Sequence, residues 1–158
     1  MRGSFIVNGT LREWVFPEDM RLLDLLRREG YTEVKCGCRE GMCGSCCVLL
    51  EGKIVNSCQI LAATVMHRDI RTVEALSESE EPHPLVTAFV EAGAVQCGFC
   101  TPGMILAAYC LLKENPDPSE EEIKRALDGN YCRCTGYVKI FEAVQRGARK
   151  MREKEVRE

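Results

Sequence analysis

Eleven of the 158 residues are cysteine, and where they fall constrains the fold more than any other property of the chain. Eight of them form two sets. The later set lies in QCGFC at 96–100 and CRCTGY at 132–137, giving Cys97, Cys100, Cys132 and Cys134. The earlier set is Cys38, Cys43 and Cys46, with Cys58 following twelve residues on. An odd total cannot pair entirely as disulfides. Glycines flank both sets, and a chain without Cβ atoms at those points can wrap closely around a bulky inorganic core. Whatever the chain folds into, it must gather two groups of four thiols.

The earlier set has the spacing C-x4-C-x2-C with a distant fourth cysteine, the pattern of plant-type 2Fe-2S ligation. Four thiols in the later set suit a second cluster, so the chain is expected to carry two 2Fe-2S clusters. Other readings compete. A CxxC followed by CxC could close a structural zinc site, and Cys97 with Cys100 could be a dithiol redox pair, although that motif belongs after a βαβ strand. Cys36 is an alternative first thiol, and only the better spacing selects Cys38. Cys47 and Cys110 are left over, the latter expected as a small buried hydrophobe in an apolar helix.

Length allows one domain or two small ones, and metal clusters would staple halves whose own cores are modest. The formal charge of −3 would move to about −7 with two oxidised clusters, each adding roughly −2. Nucleic acid is therefore not an expected partner, and the basic residues after Arg146 are interleaved with acidic ones as on a solvated helix face. The opening residues hold no apolar run of secretory-signal length, and nothing approaches about 18 consecutive apolar residues. No membrane association and a reducing cytoplasm are expected, where cysteine pairs serve metals or redox chemistry.

The element pattern changes midway. Residues 4–7 and 11–15 flank Asn8-Gly9, a type I′ hairpin signal. Leu22, Leu25 and Leu26 then mark one face of a short helix that Gly30 ends. After the glycine-rich loop 35–46, residues 47–50 and 53–56 form a second hairpin about Glu51-Gly52, and 69–73 a last strand; the order is β-grasp-like. Residues 77–84 have linker composition. From Leu85 on, four segments show helical spacing and predict a bundle. Thr101 with Pro102 predicts one helix start and Asn115-Pro116 its end; Ser119 with Glu122 predicts a capping box, Gly129-Asn130 a stop, and Thr135 a further cap.

Helix starts beside the later cysteines would turn free N–H groups and positive dipole ends toward a negative core, favouring reduction. Arg133 would either add to this or face solvent. His67 and His83 are too isolated to be ligands and suit surface or capping roles. Met42, Met104 and the run after Met104 suit shielding and core. There is no nucleophile triad, nucleotide glycine motif or carboxylate pair, so electron carriage without a catalytic site for bond chemistry is expected.

The run GCREGMCGSC, the Cys58 after NS, HPLVTAFVEAGAVQCGFCTPGM and GNYCRCTGY together resemble the iron-sulfur small subunit of the molybdenum hydroxylases, the family of xanthine dehydrogenase, aldehyde oxidoreductase and carbon monoxide dehydrogenase. The resemblance spans nearly the whole chain. It implies an α+β protein, with a plant-ferredoxin-like β-grasp domain over 1–76, a linker over 77–84 and a four-helix bundle iron-sulfur domain over 85–158. It further implies that Cys97, Cys100, Cys132 and Cys134 receive electrons from a molybdopterin cofactor on a large subunit. Cys38, Cys43, Cys46 and Cys58 would pass them to FAD on a medium subunit, with Gln96 and Cys134 lying against the pterin. The departures are Cys36, Ser45 for the common alanine and Cys47 for the common threonine. The expected function is thus an electron relay in a hetero-oligomeric oxidoreductase; the alternative is a free-standing two-cluster ferredoxin, with a zinc-stapled adapter a distant third.

Overall fold

A computed structural model describes residues 1–77 and 81–156, with the side chain of residue 155 not described. Strands β1 (Arg2–Val7) and β2 (Thr10–Val15) form the first hairpin, and helix α1 (Leu22–Arg28) follows. Strands β3 (Cys47–Leu50) and β4 (Lys53–Asn56) form the second, and β5 (Asp69–Arg71) completes a five-stranded sheet of order β2-β1-β5-β3-β4. β5 runs parallel to β1 and antiparallel to β3; the other pairs are antiparallel. Both hairpin turns have the paired positive φ that a type I′ turn needs, 48° and 72° at Asn8-Gly9 and 51° and 78° at Glu51-Gly52.

The second half holds α2 (Pro84–Glu91), α3 (Thr101–Glu114), α4 (Glu120–Leu127) and α5 (Val138–Glu155). Two separate groups of residues are buried. Phe5, Phe16, Leu22, Leu25, Val48 and Ile70 fill the space between sheet and α1, while Leu85, Phe89, Met104, Ile123, Ile140 and Val144 fill that between the later helices. α2 and α5 approach closely because Gly147 leaves room for Leu85.

Several details differ from the sequence expectations. The last strand stops at Arg71, and Val73–Ser77 forms a 3-10 turn whose Val73 and Leu76 pack against the helical core. Of the proposed linker 77–84, residues 78–80 lie outside the described residues, and Pro84 already opens α2. The helical pattern over 85–96 breaks off at Glu91. There Gly93 (φ +66°) lets its N–H reach Val90 O while Ala94 N–H reaches Phe89 O, a Schellman ending. Gly30 (φ +98°) ends α1 the same way, with Tyr31 N–H on Leu26 O. Each cysteine loop is thus launched by a left-handed glycine that turns the chain out of a helix.

The caps were partly legible. Ser119 and Glu122 form the expected reciprocal box, and His83 caps α2 by accepting from Leu85 N–H. Thr101, however, is the first residue inside α3, and Cys100 takes the cap position. Thr135 is not at the cap of α5 either; Tyr137 holds that position, left-handed and with no side-chain bond to the helix start, leaving α5 to begin four residues after Cys134. Cys110 is half-buried rather than buried, at a cavity shared with Ile54 of β4. Met104 is wholly buried as expected, but Met42 is 72% exposed.

Candidate metal centres

The loop after α1 is drawn shut at its base by Lys35 N–H on Ser45 O at 3.1 Å. Inside it, the backbone turns donors onto sulfur: Glu40 N–H reaches Cys38 Sγ at 3.3 Å and Cys38 N–H reaches Cys43 Sγ at 3.4 Å. A Cβ at Gly37 would sit 2.7 Å from Cys43 Sγ, so glycine there is what allows that sulfur its place. Cys58 arrives from beyond the second hairpin on a 3-10 turn, Ser57–Gln59. Ser57 ties it to the loop by donating to Cys46 O at 2.7 Å, and Gln59 donates to both Cys58 Sγ (3.2 Å) and Arg39 O (3.0 Å).

The electrostatics follow these contacts. The Glu40 amide holds Cys38 down to about 7, helped by the amides of Met42 and Cys43 against the opposing effect of burial. Cys46, by contrast, is pushed up to about 11, first by burial and then by the neighbouring Cys58 sulfur. Cys36 stands apart: Arg39, which forks onto the Asp24 carboxylate, donates its Nε–H to Cys36 Sγ at 3.2 Å.

At the second site, Cys97 Sγ and Cys134 Sγ are 3.7 Å apart and both exposed. Cys100 and Cys132 form the inner pair. Burial and the adjacent Cys132 push Cys100 up to about 12. Burial raises Cys132 too, but the Thr135 hydroxyl, donating at 3.1 Å, and the amides of Thr135 and Cys134 outweigh it and bring it below the usual thiol value. The exposed Cys134 is raised by Cys97 beside it. Arg133 stacks over the Tyr131 ring, 5.6 Å from its centroid.

Thiols therefore come in close pairs: 38 with 43, 46 with 58, 97 with 134 and 100 with 132. Two thiolates this close repel, and a cationic core between them relieves the repulsion. Among the described residues, no three cysteine, histidine or acidic side chains converge as a single metal ion requires. Zinc wants four donors about one point, whereas pairs of pairs fit a core of two irons with two thiolates each.

The two sites are joined directly. Tyr131 N–H donates to Cys43 O at 3.0 Å and Asn130 Nδ2–H to Gly44 O at 3.2 Å. Between the sites lies a cavity of about 270 Å³ bordered by Cys43 and Ser45 on one side and Cys97, Cys100, Cys132 and Cys134 on the other. Gln96 is exposed beside Cys97. Sequence reasoning misses Asn56, Gln59 and Asn130, which hold loop carbonyls; Asn130 has the sequence signal of a helix stop, and nothing in the sequence signals its burial.

Known proteins resemble the chain over both of its halves. A 2Fe-2S iron-sulfur cluster binding domain model matches residues 5–77, and a [2Fe-2S] binding domain model matches residues 72–145. The chain is 52% identical over 140 residues to the nicotinate dehydrogenase small FeS subunit of Eubacterium barkeri, covering 88% of this chain and 89% of that one. It is 42% identical over 146 residues to a probable xanthine dehydrogenase subunit of Bacillus subtilis, covering 92% and 84%. Among solved structures, quinoline 2-oxidoreductase from Pseudomonas putida 86 superposes with a TM-score of 0.92 at 42% identity over 98% of both chains. Two 2Fe-2S-binding domains in one chain, with relatives of this kind across nearly its whole length, place the protein in the family of small iron-sulfur subunits of the molybdenum hydroxylases.

Proposed function

We propose that Cys38, Cys43, Cys46 and Cys58 bind one 2Fe-2S cluster and Cys97, Cys100, Cys132 and Cys134 the other, each iron taking one of the close thiol pairs. Bound there, each cluster accepts and releases a single electron. The protein's own groups do the rest. Amides of Glu40 and Cys38 and the hydroxyl of Thr135 donate to sulfur and favour added negative charge, while the wholly buried Phe5, Val48 and Leu26, which share a core with Cys46 and Cys58, keep water from that side.

The observation that carries the reading is the contact between sites: the amide preceding Cys132 bonds to the carbonyl of Cys43. An electron carrier whose two loops touch is suited to pass charge internally, between one partner and another. On this reading the chain divides into a ferredoxin-like domain over 1–76, a linker over 77–84 and a four-helix bundle over 85–158, with Val73 and Leu76 reaching across to the helical core.

The outer partner surfaces are distinguishable. Around the exposed Cys97 and Cys134 lie Val95, Phe99, Tyr131 and Val138, all 40% or more exposed. Such an apolar rim suits a large molybdopterin-bearing subunit, with Gln96 and Cys134 toward the pterin. Exposed Met42 within the first loop suits a second, FAD-binding partner. Substrate chemistry then belongs to the large partner, with no catalytic site on this chain, and the complex is cytoplasmic. Iron and acid-labile sulfide analysis tests the assignment: about four of each per chain is expected, and stoichiometric zinc would refute it.

A further inference from the structure

The first cysteine loop follows a rule in which a side chain outside it holds a carbonyl outward and the next amide N–H turns inward, because C=O and N–H of one trans peptide point opposite ways. Gln59 holds Arg39 O, and Glu40 N–H bonds Cys38 Sγ. Asn56 holds Gly41 O at 2.9 Å, and the Met42 amide also serves Cys38. Two further carbonyls of this loop are held from outside, but by the helical half of the protein. Tyr131 N–H holds Cys43 O, and Asn130 Nδ2–H holds Gly44 O.

We infer that Asn130, although it stands two residues before Cys132 of the second centre, is a positioning residue for the first: by holding the Gly44 carbonyl it aims the Ser45 amide at the first centre's sulfur. The side chain is built for this. It is 6% exposed, and its amide nitrogen is wedged between Gly44 and Gly103, close enough that a Cβ at Gly103 would be 2.9 Å away. Gly44 O also accepts from Cys47 N–H at 3.2 Å, so the peptide is gripped from both sides. Cys47, itself buried, donates its thiol to Asn56 Oδ1 at 3.4 Å, which links Asn130's neighbourhood to the Gly41 carbonyl. One network, buried at Asn130 and half-buried at Asn56, therefore spans both loops, and the helical half biases how readily the first centre accepts an electron.

An inward amide stabilises the reduced state. Freeing the Gly44 peptide should therefore lower the first centre's potential while leaving its four thiols in place. This inference rests on the proposed ligand sets, and the experiment separates the two. In the unaltered complex, about four irons per chain, with the signal lost in Cys38→Ser marking the first centre, test the ligands. EPR-monitored redox titration of Asn130→Ala, loaded with the same iron, should then show the first centre's share of a single shared electron falling at least about threefold relative to the second, and Asn56→Ala should shift it in the same direction. Unchanged potentials in fully loaded Asn130→Ala would overturn the role of Asn130 alone. Should that variant load poorly, protein with Asn130 intact still decides. With 15N-serine in a Ser57→Ala background, pulsed EPR of the reduced first centre should show a weak nitrogen coupling from Ser45, and its absence overturns the inference.

Discussion

Gly103, in the first turn of α3, lies against the carbonyl of Gly44 so closely that a Cβ at position 103 would penetrate that oxygen. The obstacle is backbone, held by Asn130 and by Cys47 N–H, and cannot swing aside as a flexible side chain would. Glycine here is what lets the two cysteine loops meet. In an exposed helix, Gly→Ala gains about 1 kcal/mol, but overpacking a rigid contact costs about 1–3 kcal/mol. Gly103→Ala is therefore expected to be net destabilising by up to about 2 kcal/mol in urea unfolding and to weaken the magnetic interaction between the two reduced clusters by separating them.

Cys36 and Cys38 are separable by metal content. Cys38 receives backbone donors and lies against Cys43, whereas Cys36 is taken up by Arg39. Cys38→Ser should reduce iron from about four to about two per chain, and Cys36→Ser should leave it at about four. The reverse pattern in iron analysis would reassign the first ligand.

The α2 cap makes stability depend on pH. His83 Nδ1 accepts from Leu85 N–H at 3.2 Å, which requires that nitrogen unprotonated, and burial followed by the charge of Lys154 pulls the imidazole below its ordinary value. A group depressed in the folded state contributes stability above its unfolded pKa, about 6.5, and loses that contribution as pH falls through the folded value. Thermal melting should therefore drop more steeply between pH 7 and pH 5 in the native protein than in His83→Asn, whose amide oxygen caps at either pH.

Helix α4 depends on its N-terminal box. Ser119 Oγ accepts from Glu122 N–H, and the Glu122 carboxylate accepts in turn from Ser119 N–H at 2.7 Å. Ser119→Ala should cost about 1 kcal/mol by chemical denaturation without changing iron content, because α4 carries none of the eight thiols.

Phe99, 44% exposed between Cys97 and Cys100, stands on the face proposed above for the molybdopterin-bearing partner. Phe99→Asp should preserve both cluster signals yet weaken assembly by about 2 kcal/mol, roughly thirtyfold in affinity. Analytical ultracentrifugation of the reconstituted complex measures this; undiminished assembly would place the interface elsewhere.

Much of this protein was legible because it is local. Asn8-Gly9 dictates its hairpin because both residues adopt positive φ readily, and Gly52 supplies one such position to the second turn; Ser119 and Glu122 cap each other within one turn, and the C-x4-C-x2-C and CxxC…CxC spacings name the chemistry before any contact is known. Local signals also misled. Thr101 and Thr135 look like caps, yet the chain leaving each cysteine loop puts Cys100 and Tyr137 in those positions and turns the Thr135 hydroxyl onto Cys132 sulfur.

Which thiols pair, and how the two loops touch, only the tertiary structure decided. Cys97 meets Cys134 across 37 residues and Asn130 meets Gly44 across 86, and no periodicity or propensity extends that far. The second of these contacts arises where two buried cores press α3 against β3 and β4. The sequence determined which thiols the chain carries and how they are spaced; the folding of each loop, and the packing of one half on the other, decided which carbonyls and amides surround them.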